Sequence, residues 1–87
     1  MVLTVKWDSA GQELDVLCDD KGIELLINRL QILQRHGGHD HLMTESWSGN
    51  ELTEQPHREG EILINHVRLV YVDANGTPVV RRNRPAS

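Results

Sequence analysis

The sequence predicts an α+β domain: a mostly antiparallel sheet of about five strands with one helix on one face, in the order ββαβββ. Three observations carry that prediction. Apolar residues alternate near both ends of the chain, one long central segment repeats them at helical spacing, and turn-forming residues separate the segments. With 87 residues there is room for one hydrophobic core, so residues 1–87 are read as a single small domain.

Leu3, Val5 and Trp7 alternate with Thr4 and Lys6, and Asp8-Ser9-Ala10-Gly11 supplies a turn. Leu14, Val16 and Cys18 then alternate with Glu13, Asp15 and Leu17, which makes an opening β-hairpin with Cys18 inward. From Asp19 or Asp20, either a suitable N-cap, apolar residues recur at Ile23, Leu26, Ile27, Leu30 and Leu33, with Leu25 and Ile32 broadening the stripe. Gly37 is a good stop, so a helix over about residues 20–36 should lay this stripe across the hairpin.

After the Gly37-Gly38 break, His39 to Glu45 reads as a short strand and Ser46 to Gly60 as a loop, punctuated by Ser-Gly-Asn and Gln-Pro-His. Glu61 to Asp73 is the strongest strand, but its alternation changes phase between Ile62/Ile64 and Val67/Leu69/Tyr71. A one-residue bulge near Asn65 and His66 would bring both sets to the core. Asn75-Gly76 signals a type I′ hairpin turn, returning the chain as an edge strand over Thr77 to Asn83 because Pro78 cannot donate to a ladder. Arg84 to Ser87 should fray. One helix cannot cover both faces of such a sheet, so the other face meets solvent or a partner.

Composition narrows the function. There is no Phe and there are only three aromatic residues, so the core must come from Leu, Ile and Val, which argues against a deep aromatic-lined pocket. Cys18 is the single cysteine and cannot form an internal disulfide, in keeping with a reducing compartment. No basic-then-apolar leader is present, and the apolar runs fall far short of the ~20 residues needed to cross a bilayer. The expectation is a cytoplasmic protein that does not engage a membrane. Residues 1–64 hold twelve acids and five bases, whereas residues 65–87 hold one acid and four bases. Arg81, Arg82 and Arg84 alone do not make the basic, aromatic-studded face of a nucleic-acid binder, so no nucleic-acid partner is expected. An acidic surface better suits a basic protein.

The chemistry concentrates in His36 to Glu54, nineteen positions that hold three of the five histidines, one of the two tryptophans and four acids. His39 and His41, two apart, project from one side of a strand, and His66 or Glu45 could complete a ligand set for a hydrolytic zinc ion. Ordinary hydrogen-bonded surface histidines explain the spacing as well, and no cofactor is called for. Ser46 and Ser48 lie near the histidines without a strand-to-helix elbow, and Glu51 and Glu54 are co-located only if a helical turn forms, so the chain is not read as an enzyme. Trp47 has two open readings: a cap on the end of the small core, or an interface anchor in an acidic rim, since residues 40–61 hold six acids and one base.

The run Gly38-His39-Asp40-His41-Leu42-Met43-Thr44-Glu45-Ser46-Trp47-Ser48-Gly49-Asn50-Glu51-Leu52-Thr53-Glu54, followed by Ile64-Asn65-His66-Val67, resembles the immunity protein 32 family of bacterial polymorphic toxin systems. The shared pattern is a His-x-His-Leu-Met strand, a Ser-Trp-Gly-Gly-like turn and a Glu-Leu pair, with Ser48 in place of one glycine. The resemblance spans about residues 36–70. It implies a small α+β cytoplasmic protein that binds a co-encoded toxin domain and blocks it, with no catalytic residues to carry over. A basic nuclease would suit an acidic inhibitor. On this reading the toxin-binding residues are Trp47, Glu45, Glu51 and Glu54, with His39, His41 and His66 shaping or joining the surface. The alternatives are a metal-binding or metal-dependent hydrolytic module built on His39, His41 and His66, and a homodimeric adaptor that pairs the Thr77 to Asn83 edge or the uncovered sheet face.

Overall fold

A computed structural model describes residues 1–56 and 58–80. Its elements are β1 (Leu3–Asp8), β2 (Glu13–Cys18), α1 (Asp20–His36), β3 (His39–Met43), a 3-10 turn (Glu45–Trp47), β4 (Glu61–Ile64) and β5 (His66–Val70). The order is ββαβββ, and every strand pair is antiparallel. The strands form two sheets, a three-stranded one ordered β2-β1-β4 and a two-stranded one of β3 and β5.

The phase change in Glu61 to Asp73 is the reason for two sheets. The expected single bulged strand is instead divided at Asn65: β4 pairs with β1, and β5 pairs with β3. Ile64, Val67 and Leu69 all reach the same core despite their odd spacing, around the buried side chains of Leu3, Val5, Leu42 and Leu52. Thr44 fastens the crossing point, its backbone N–H donating to the Asn65 carbonyl at 3.0 Å and its hydroxyl to Asn65 Oδ1 at 2.7 Å.

The helix starts and stops where the sequence places it. Asp19 caps it by accepting from the Gly22 N–H at 2.8 Å, and Gly37, at φ 73°, closes it by donating to the Leu33 carbonyl. Its inward face differs from the expected stripe. Gly22 and Leu33 are buried and Leu25 and Leu26 pack on the core, whereas Ile23, Ile27 and Leu30 are 41, 49 and 45% exposed. Two contacts set this rotation. A Cβ on Gly22 would lie 1.8 Å from the Val2 carbonyl oxygen, so the helix crosses the start of β1 at backbone contact. Near its middle Arg29 grips Asp40 of β3 in a two-pronged ion pair, Nε to Oδ2 at 2.5 Å and Nη2 to Oδ1 at 2.6 Å.

The hairpin also departs from expectation. Leu3 and Val5 are buried, but their cross-strand partners Cys18 and Val16 are exposed. Leu14 is exposed too. These residues share a face by register, yet β2 is an outer strand and the core residues lie over β1, so the inward reading of Cys18 fails. Near the end of the described chain the turn is not a two-residue type I′ loop. Gly76 N–H donates to the Asp73 carbonyl, Asp73 N–H to the Thr77 carbonyl, and only Gly76 takes a positive φ, 80°. This is a type I turn followed by a left-handed glycine, the common three-residue hairpin loop. Asp73 Oδ1 favours it by accepting from the Asn75 and Thr77 N–H groups. Beyond it the chain makes isolated bridges at Pro78 and Val80 in place of a continuous strand up to residue 80; residues 81–83 of the expected edge strand and the expected fraying at 84–87 lie outside the described residues.

Candidate functional site

Strand alternation divides β3 and β5 into two faces. Leu42 opposite Val67 and Asp40 opposite Leu69 look inward. His39 opposite Val70, His41 opposite Arg68 and Met43 opposite His66 therefore share the outer face. The Arg29–Asp40 pair secures this choice, because Asp40 held against the helix turns both neighbouring histidines outward. The guanidinium also holds the Asp40 carboxyl below its usual range.

On the outer face four rings form a row. His39 meets His41 edge-on at a centroid distance of 4.9 Å, His41 lies 4.9 Å from His66, and His66 lies 6.1 Å from Trp47. His41 Nδ1 and His66 Nε2 are 2.6 Å apart, so one ring donates and the other accepts. Desolvation, then repulsion from His66, His39 and Arg68, moves His41 below the ordinary imidazole range. At neutral pH it is therefore an uncharged hydrogen-bonding ring.

Trp47 is 54% exposed, so it does not cap the core. The local chain forces it outward. Thr44, fully buried, accepts through its carbonyl from the Trp47 and Gly49 N–H groups, both at 2.9 Å, and so closes a tight turn. A Cβ on Gly49 would lie 2.4 Å from the Met43 carbonyl oxygen, so no other residue fits there without a shift. Ser48 takes the left-handed conformation, φ 66° and ψ 21°, which favours glycine. Leu52 then drops into the core and Thr53 stitches the loop to β1, its N–H donating to the Leu3 carbonyl at 2.7 Å and its hydroxyl accepting from the Leu3 N–H at 2.9 Å. Thr4 adds a bond from its hydroxyl to the Thr53 carbonyl.

The three acids separate. Glu45 and Glu54 line one cleft of about 630 Å³ with Gly49, Asn50, Leu52 and Thr53, and Glu54 accepts from the Ser46 hydroxyl at 2.8 Å. Glu51 instead turns into its own loop, accepting from the backbone N–H of Met43 at 3.0 Å and more weakly from that of Asn50. Its carboxylate braces the turn that presents Trp47. Ser46, bonded to Glu54, and Arg68, beside His41, join the surface without a motif to announce them; only the β3/β5 register places Arg68 there. The histidines form a row, and among the described residues no three His, Cys, Asp or Glu side chains are arranged to hold a metal ion.

The arrangement presents an exposed indole on a braced turn, a row of imidazole rings beside it, and a cleft lined by Glu45 and Glu54 within the same loop. No helix among the described residues is long and apolar enough to cross a membrane. No family model, no curated protein and no solved structure matches the chain.

Proposed function

We propose that this chain is an immunity protein that binds a co-encoded toxin domain and occludes it, acting in the cytoplasm and without chemistry of its own. The observation that carries this reading is the exposed Trp47, on a hydrogen-bonded turn between Glu45 and Gly49, which with Glu54 line an adjoining cleft. An aromatic anchor beside carboxylates suits a basic partner: the indole fills a pocket and its N–H finds an acceptor, while the acids speed the encounter. His39, His41 and His66 extend the contact surface, and Glu51 supports it from behind. A basic nuclease domain is the partner class this charge distribution fits best.

Co-expression with the toxin domain encoded beside this gene tests the proposal, scoring survival and co-purification. Rescue with a stable complex is the expected result; death of the cells and no complex would overturn it. Trp47→Ala, checked for folding, should weaken binding by about 2 kcal/mol or more, roughly thirtyfold in Kd.

A further inference from the structure

We infer that the outward stripe of α1 is a self-association surface, on which a second copy of this chain packs its own α1 antiparallel about a two-fold axis near Ile27. Ile23, Ile27 and Leu30 run along one line of the helix and are each more than 40% exposed. Beside them a shallow groove, lined by Ile27, Leu30, Leu33, Val70 and Val72, continues the apolar surface onto the end of β5. An apolar stripe this continuous on an 87-residue chain marks a contact surface.

Its charge pattern selects the occupant. Close to a two-fold axis each side chain meets its own copy, so a charge there would face a like charge. On this face, within one turn of Ile27, Ile23, Leu30 and Gln31 are neutral and Glu24 is the one charge; reversal about Ile27 sets it against the copy's Leu30 and Gln31, not against its own copy. The two ends of the helix are charged in opposite senses, with Asp20 in the first turn and Arg35 in the last. Reversing the helix about Ile27 sets Ile23 against the copy's Leu30 and Asp20 against the copy's Arg35, each within one residue, about 1.5 Å, of register. Asp20 and Arg35 also lie on the same flank of the stripe, which is the flank that meets itself in an antiparallel pair. The opposed helix dipoles favour the same direction.

Sedimentation of the whole chain at about 100 μM, well above a micromolar Kd, should show a dimer, and Ile27→Glu should weaken it by about 100-fold or more with the helical circular dichroism unchanged. A cysteine pair gives a second reading that does not depend on that variant folding. In a Cys18→Ser background, Ile27→Cys should cross-link to its copy under mild oxidation, because facing helices bring their near-axis Cα atoms within disulfide reach. Lys21→Cys, at a position 75% exposed but about 120° round the helix from Ile27 and about a turn and a half from the axis, should not. A monomeric wild type, a dimer that survives Ile27→Glu, or equal cross-linking of the two cysteine variants would each overturn the inference.

Discussion

The outer face of β3 and β5 and the outward stripe of α1 both leave apolar side chains in water, but they are built on opposite principles. Around Trp47 the backbone is overdetermined: Thr44, Gly49, Glu51 and Thr53 each fix a segment of the loop, and the exposed groups are aromatic, titratable and flanked by acids. Along Ile23, Ile27 and Leu30 the helix supplies the rigidity, and the exposed groups are aliphatic and neutral. The first kind of surface discriminates among partners by charge and geometry; the second accepts whatever is apolar and complementary, for which its own copy is the nearest fit.

The largest expected effect removes the element that orients both surfaces. Gly22→Ala would gain helix propensity, about 1 kcal/mol in an open helix, but its methyl would overlap the Val2 carbonyl oxygen, a backbone atom that cannot swing away. Thermal denaturation should show a net loss of about 2–3 kcal/mol, with both association reactions weakened. Trp47→Ala comes next and separates the two faces: affinity for the proposed toxin partner should fall by about 2 kcal/mol while the sedimentation of the free protein is unchanged.

Asp40→Asn should cost about 1 kcal/mol of stability, discounted because Arg29 and Asp40 remain 30 and 22% exposed. It should also loosen the hold that turns His39 and His41 outward, which amide exchange along β3 would report. Ser48→Gly should act oppositely, raising stability by about 0.5 kcal/mol by relieving a left-handed non-glycine residue. If the denaturation midpoint falls instead, Ser48 has a stabilising role that its backbone angles do not explain.

The smallest effect is pH-dependent. His41 titrates lower folded than unfolded, so as pH falls below about 6.5 the unfolded chain takes up a proton that the folded chain refuses. Stability should decline from there through the folded pKa, and His41→Gln should flatten that limb of the profile. Asp40, also lowered, contributes stability that is present above about pH 3.9 and is lost as pH drops through its folded value. The two limbs are therefore separable on one titration of the denaturation midpoint.

Much of the site was legible in the sequence because its signals are local. His39 and His41 share a face by period-two alternation alone, and Trp47 with Glu45 and Glu54 follows from proximity along the chain. Glu51 was not legible as a brace, since its bond to the Met43 N–H exists only once the turn has closed. The row from His41 through His66 to Trp47 depended on pairing β3 with β5 in one register among several.

By itself the amino-acid sequence determined the helix and its caps, the opening hairpin, the ββαβββ order and the phase break at Asn65, because propensity, capping and alternation are properties of a few neighbouring residues. Tertiary structure decided which side of each element is inside. A helix whose apolar arc runs from Ile32 through Leu25, Leu26 and Leu33 to Ile23 and Ile27 can bury either half, and only the contact of Gly22 with Val2 and the grip of Arg29 on Asp40 select one. The same holds for β2, where alternation was present but, among the described residues, nothing covers Val16 and Leu14, which stay exposed. Burial is a relation between elements that are distant in sequence, so periodicity names the candidates and packing chooses among them.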